Sequence, residues 1–303
     1  MKNNKILVIG SSNTDMTVLT ETLPAPGETL LGGEFKMGGG GKGANQAVAA
    51  KRLGGDVQFI CKVGRDIFGE NAIASYKAEG LDTSLILRSE KPSGVALILV
   101  DKQAENCISV AGGANEDFSV EDIRSLSSVI EQAGILILQH EIPIPTIVEA
   151  AKIAHAAGAY VILNPAPARA LPEEIYTCID LLTPNQTETA TMTGLSVSNE
   201  EEAAAAAAEL RRKGVGNILM TMGSKGSMCF TAEENFFTPA LRVKAVDTTA
   251  AGDTFCGALA VALSEGKSLK EAAVFATKAS SLTVQRRGAQ DSLPYRREID
   301  DAC

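Results

Sequence analysis

The chain has 303 residues, 45% of them hydrophobic, 21% charged and 4% aromatic, which suits one large globular domain over 1–303 with ample material for a core. Lys and Arg number 28 against 37 Asp and Glu, a formal net charge of −9, and a diffuse acidic balance argues against nucleic acid or anionic membrane as partner. No apolar run approaches the ~18–20 residues of a spanning helix. The start, Met1-Lys2-Asn3-Asn4-Lys5, leads into too short an apolar stretch for a signal peptide, so a cytoplasmic location is expected.

Short apolar runs alternate with amphipathic stretches along the chain. Buried strands are expected at 6–10, 57–63, 135–140, 160–164, 181–184 and 217–222. Helices are expected at 43–53, 68–80, 119–132, 145–158, 198–213, 252–265 and 268–284. Ser198-Asn-Glu-Glu201 reads as a capping box, and the alanine run 203–208 needs no role beyond helix propensity. This alternation predicts an α/β fold of three layers, with a mostly parallel central sheet flanked by helices on both faces. Two segments interrupt it, 12–37 and 94–110, the second patterned as a hairpin around a polar turn at 101–105. Both are flanked by glycine-rich turns, which favours a small sheet standing off the body over a pair of edge strands on the main sheet.

Cys61, Cys107, Cys178, Cys229, Cys256 and Cys303 are scattered, with no CxxC pair. They fit neither a zinc site nor a disulfide framework and read as reduced. With only His140 and His155 available, His155 in an alanine-rich helical stretch, nucleophilic triads have little to draw on.

Three glycine-rich constellations carry chemistry. In Gly38-Gly-Gly-Gly-Gly-Lys42-Gly43-Ala44-Asn45, a GxGxxG match lacks the strand that the dinucleotide fingerprint requires, and Gly43 stands where a Walker A loop needs Ser or Thr. Bare backbone entering a helix remains, able to approach a small polar ligand, with Lys42 and Asn45 as side-chain donors. In Gly10-Ser-Ser-Asn13-Thr-Asp15, at a strand's carboxyl end, Asn13 and Asp15 suit sugar hydroxyls, although an Asn-x-Asp stretch is commonly an Asx turn. The strongest is Asp247-Thr-Thr-Ala-Ala-Gly252-Asp253, running into a helix. The amides of Ala250, Ala251 and Gly252 can converge on an anion there, and Asp253 can cap the helix or serve as a general base.

At these residues the sequence resembles the ribokinase (pfkB) family of carbohydrate kinases. Asn13-Thr-Asp15, Gly40-Gly-Lys-Gly-Ala-Asn45, Asn164-Pro-Ala-Pro-Ala168, Thr183-Pro-Asn185-Gln-Thr-Glu188 and the segment from Asp247 to Asp253 occur in the family's order. The commoner family form of the last segment has glycine where this chain has Ala250. The resemblance implies ATP-dependent phosphorylation of a sugar's primary hydroxyl, D-ribose to ribose 5-phosphate. Asn13, Asp15, Gly41, Lys42, Gly43, Asn45 and Glu141 would hold the sugar, Asp253 would act as base, and the amides of Ala250, Ala251 and Gly252 would form the anion hole. For Glu141, a satisfied carboxylate at a strand end is an equal reading.

The resemblance also implies a nucleotide site at Asn185, Thr221, Gly223, Ser224, Gly226, Gly252 and Thr277, with Asn185 and Glu188 placing Mg²⁺ indirectly. An activating K⁺ would sit at Asp247, Thr249, Thr283, Arg286, Gly288 and Ser292. The segments 12–37 and 94–110 would be a β-sheet lid that also forms a homodimer contact. Kinases for deoxyribose, fructose or a nucleoside are the nearest alternatives. A sugar- or nucleotide-binding regulator on the same fold would have no use for Asp253 beside an anion nest.

Overall fold

The computed structural model describes residues 2–103 and 105–301; Cys303 and Ala104, in the expected hairpin turn, lie outside them. The chain opens with β1 (Lys5–Ile9), then β2 (Asn13–Leu19) and β3 (Glu34–Gly40), which lead into α1 (Lys42–Arg52). Next come β4 (Asp56–Ile60), β5 (Lys62–Gly64), α2 (Ile67–Ala78), β6 (Leu87–Ser89), β7 (Gly94–Val100) and β8 (Asn106–Ala111). The middle supplies α3 (Val120–Ser125), α4 (Ser127–Ile130), β9 (Ile135–Gln139), α5 (Ile144–Ala156), β10 (Tyr160–Asn164), α6 (Glu173–Tyr176) and β11 (Leu181–Leu182). The remainder is α7 (Gln186–Thr193), α8 (Glu200–Arg212), β12 (Asn217–Thr221), β13 (Gly226–Phe230), β14 (Asn235–Pro239), α9 (Ala251–Ser264), α10 (Leu269–Thr283) and α11 (Arg296–Asp300).

Eight strands form one sheet in the order β14-β13-β12-β11-β10-β9-β1-β4. Successive side chains of its central strands alternate between two apolar clusters. Ile6, Val8, Ile135 and Ile137 pack with α1, α9 and α10 on one face, and Leu7, Ile9, Leu136 and Leu138 with α5 and α8 on the other. Covering on both faces is why these strands read as unbroken apolar runs. The expected three-layer α/β architecture with a mostly parallel central sheet is therefore present. Pairing is parallel from β4 to β12, but β12, β13 and β14 are antiparallel at one edge, because the connection from Thr221 to Gly226 is too short for a crossover.

The segments 12–37 and 94–110 form a separate four-stranded sheet, order β3-β2-β7-β8, so the edge-strand alternative is set aside. Other local expectations shift. The run 57–63 divides at Cys61, β4 joining the main sheet and β5 pairing with β6. The helix expected at 119–132 is interrupted at Leu126, between α3 and α4. The cap of α8 is Asn199, whose side chain accepts from the Glu202 amide at 2.9 Å, one residue later than expected. Cys61, Cys178, Cys229 and Cys256 are buried and Cys107 exposed, all five unpaired. No helix among the described residues is long and apolar enough to cross a membrane.

Candidate active site

The order of the parallel strands reverses at β1, which has β4 on one side and β9 on the other. In open α/β sheets, ligands bind outside the carboxyl ends of the strands at such a point. A cleft of about 410 Å³ opens there, between the strand ends, the start of α1, the start of α9 and the small sheet above. Asn13, Asp15, Gly41, Lys42, Asn45, Glu141, Asn185, Glu188, Thr221, Thr249 and the stretch from Ala250 to Asp253 all line it.

The glycine run is a joint rather than a loose loop. Gly41 caps α1 at φ 87°, a region glycine enters without strain. At Gly43 a Cβ would come within 2.6 Å of the Gly10 carbonyl carbon and the Ser11 nitrogen, so only glycine lets α1 seat this close to β1. That seating delivers Lys42 and Asn45 to the cleft. Glu141, just beyond β9, locks the joint: its Oε2 accepts from the Ser11 hydroxyl at 2.6 Å and from the Lys42 amide at 2.9 Å. Burial works to lower the Lys42 pKa, but Asp253, Glu141 and Glu188 outweigh it and hold the ammonium above its usual value.

Asn13 and Asp15 lie on β2, not in an Asx turn. Two residues apart on a strand, they share the face turned to the cleft. Asn115 donates to Asn13 Oδ1 at 2.7 Å while accepting from the Ser12 amide at 2.9 Å, which leaves the Asn13 NH₂ for a ligand. The Asp15 carboxylate rests on Gly40, where a Cβ would overlap it. Burial first, then the neighbouring Glu141 and Asp253, push its pKa up to about 6.

Opposite, Ala250 takes the left-handed conformation, φ 59° and ψ 8°, at the cap of α9, alone among the described non-glycine residues. An αL residue leading into a helix makes a nest of amides, to which the helix dipole adds positive potential. The Ala251 N–H already meets the Thr248 carbonyl at 3.2 Å, so its part in an anion hole requires that turn to open. Asp253, 5% exposed, sits in the first turn of α9 with each carboxylate oxygen held by an amide: Oδ2 by Asn45 Nδ2 at 2.9 Å and Oδ1 by Gln46 Nε2 at 3.0 Å.

Asn185 and Glu188 form the capping box of α7, Glu188 returning its carboxylate to the Asn185 amide at 2.8 Å and the Asn185 side chain at 2.9 Å. Burial raises the Glu188 pKa, against the pull of that amide and of Lys42. A bridge pairs Asn185 with Thr221, and the chain then turns through Gly223, Ser224 and Gly226, with φ 56° and 125° at the two glycines. These three do not line the cleft, nor does Thr277, whose hydroxyl donates to Ala273 O one turn back in α10.

Around the expected cation position, Asp247 accepts from the Thr249 amide and the Gly288 amide, each at 2.9 Å. Thr283 bonds Thr254 at 2.9 Å, Arg286 pairs with Glu298, and Ser292 donates to Ala289 O at 2.7 Å. The side chains at these positions are thus already bonded within the protein. Among the described residues no three His, Cys, Asp or Glu gather as a metal cluster.

Sequence reasoning missed Ser11, Gln46, Asn115 and Gln139, all of which orient site residues, and gave no role to Asn164. The signal for Gln46 was present. Asn45 and Gln46 are polar in the middle of a helix whose Ala44, Ala47, Val48, Ala49 and Ala50 are all buried. Two large amides at such positions require buried partners.

The pfkB family carbohydrate kinase model matches residues 3–296. The chain is 41% identical over 300 residues to the ribokinase of Staphylococcus aureus, covering 98% of this chain and 99% of that one. It is 42% identical over 298 residues, 97% of its length, to a bifunctional ribokinase/ribose-5-phosphate isomerase A of Fructilactobacillus sanfranciscensis, of which it spans only 55%. The ribokinase of Arabidopsis thaliana, solved with ribose and ATP, superposes with a TM-score of 0.91 at 35% identity, over 99% of this chain and 98% of that one. The cleft at the strand-order reversal, the glycine joint and the nest before Asp253 therefore belong to a carbohydrate kinase, and the chain is a member of the pfkB family.

Proposed function

We propose that this chain transfers the γ-phosphoryl group of ATP to the 5-hydroxyl of D-ribose, giving ribose 5-phosphate and ADP. The observation that carries this reading is Asp253, a buried carboxylate fixed by two amides at the mouth of a helix, facing a ring of sugar-binding groups. Asn13, Asp15, Lys42, Asn45 and Glu141 hold the ring hydroxyls, and Gly41 and Gly43 let the backbone come close. Asp253 accepts the proton of the attacking hydroxyl, and the amides of Ala250 and Gly252, joined by Ala251 once its turn opens, stabilise charge on the transferring group. Phosphoryl transfer asks a protein mainly for positioning and charge stabilisation, and this arrangement supplies both.

The nucleotide lies toward Asn185 and Thr221, with the Gly223–Gly226 turn and Thr277 beyond the cleft as its outer contacts. Mg²⁺ neutralises phosphate charge when bound; with both Glu188 oxygens occupied by Asn185, these residues serve it at second hand. K⁺ would sit at the loops tied by Asp247, held by main-chain carbonyls. The far face of the lid exposes Phe35 (60%), Met37 (52%) and Leu97 (57%), and its registers Met16↔Met37 and Met16↔Leu97 make that patch continuous, which supports a homodimer through the lid. Unpaired cysteines support a cytoplasmic enzyme.

The test is ADP release from magnesium-ATP with D-ribose, deoxyribose, fructose and adenosine, with and without potassium at matched ionic strength. Turnover highest with D-ribose and raised by potassium is the expected outcome. Preference for another member moves the proposal to that sugar, equal rates without potassium remove the cation, and sugar binding without turnover would make the protein a regulator.

A further inference from the structure

Two buried carboxamides are unaccounted for by this mechanism. Gln46 on α1 and Gln139 at the end of β9 are both 0% exposed, and neither lines the cleft. Gln46 Nε2 donates to Asp253 Oδ1 at 3.0 Å and to Asn164 Oδ1 at 3.1 Å, while its Oε1 accepts from Gln139 Nε2 at 2.8 Å. Asn164 is held in turn by its own donation to the Thr183 carbonyl at 3.0 Å. The direction of this relay is forced. A carboxylate only accepts, so Gln46 must present its NH₂ to Asp253, and its oxygen must then meet a donor. Gln139 supplies it and is left with its own Oε1 unpartnered, pressed on Gly10 where a Cβ would overlap it. The unmet bond thus falls on the member farthest from the chemistry.

Asp253's other amide differs in kind. Asn45 lines the cleft, and its buried Oδ1 has no partner within the protein, so Asn45 is shared with whatever occupies the site. Gln46 answers only to the sheet. We infer that Gln46, oriented by Gln139 and Asn164, is the positioning residue that holds Asp253 in its reactive orientation, independently of substrate. The inference rests on reading Asp253 as the base. The charged groups facing Asp253 are Lys42 of α1, Asp15 of β2 and Glu188 of α7, with the Cys256 thiol on α9 itself, and the test below alters none of them.

The experiment compares wild type, Asp253→Asn, Gln46→Met and Gln139→Met by kcat and KM for D-ribose with magnesium-ATP. Methionine keeps the volume and removes the hydrogen bonds. Gln46→Met is expected to lower kcat about 10- to 100-fold, since small misplacements of a reacting group cost that much, with the ribose KM within about twofold. Gln139→Met should show a smaller change of the same kind, and carries the test if Gln46→Met does not fold. Wild-type kcat in the folded variants, or a raised KM alone, beside an inactive Asp253→Asn would overturn the inference while leaving the base intact. An active Asp253→Asn would instead overturn the reading on which it rests.

Discussion

Strands β9 and β7 have nearly interchangeable sequences, Ile-Leu-Ile-Leu-Gln and Gly-Val-Ala-Leu-Ile-Leu-Val, yet every residue of β9 is buried while most of β7 is partly or largely exposed. The first lies between two layers of helices. The second belongs to a sheet with the cleft on one side and the exposed Phe35, Met37 and Leu97 on the other. Apolar content was therefore a poor guide to burial, and the two sheets divide the work of the site accordingly. The body holds its polar groups by fully buried amides around Asp253. The lid presents Asn13 and Asp15 from a strand that depends on Asn115 for its alignment.

On that division, substitutions at Asp253 and the amides that fix it should act on turnover, and those that disturb Asn13 and Asp15 on sugar affinity. The largest effect belongs to Asp253→Asn, expected to lower kcat at least ~10²-fold with the ribose KM near normal in steady-state assays. On the lid side, Asn115→Ala frees the Asn13 amide and should raise the ribose KM about tenfold, the worth of one lost hydrogen bond, with kcat nearly unchanged. A fall in kcat instead would erase the distinction.

Asp15 sharpens the comparison by pH. With its pKa raised to about 6, it gains its proton as pH falls through 6 rather than through 4, so the ribose KM should rise several-fold between pH 7 and pH 5. Asp15→Asn should flatten that rise. A carboxyl with a raised pKa is costly to the fold when ionised, above pH 6, and neutral in effect below about 4. Thermal melts of the ligand-free Asp15→Asn protein should therefore show stabilisation at pH 8 and none at pH 4. The smallest effect is at Ala250, where glycine would relieve the αL strain but loosen the unfolded chain. The two terms oppose, so Ala250→Gly should change stability by less than about 1 kcal/mol in denaturant unfolding.

Legibility followed the physical strength of the local signal. Tyr160–Asn164 was read to the residue, because both of its faces are covered and the apolar run has sharp ends. The helix over Gln186–Thr193 was missed, because Gln-Thr-Glu-Thr-Ala-Thr-Met-Thr has no apolar period and is held by the Asn185 capping box instead. The edge hairpin over 226–239 was missed because its strands carry no crossover helix between them. Within the site, charged and glycine-flanked residues announced themselves. Gln46, Asn115 and Gln139 did not, since a buried amide has meaning only once its partners on distant segments are known.

One register has a mechanical side. Asn13 stands opposite both Gly40 and Gly94, and six residues further along Leu19 stands opposite Glu34 and Val100. The first row joins the body directly, through Gly10 to Ser12 on one strand and Gly41 on another, whereas the last row ends in loops away from it. The small sheet thus reaches on the order of 20 Å beyond the row that carries Asn13. Were the sheet to turn as one piece about that row, a shift there too small to break a hydrogen bond would become the widest travel at its tips.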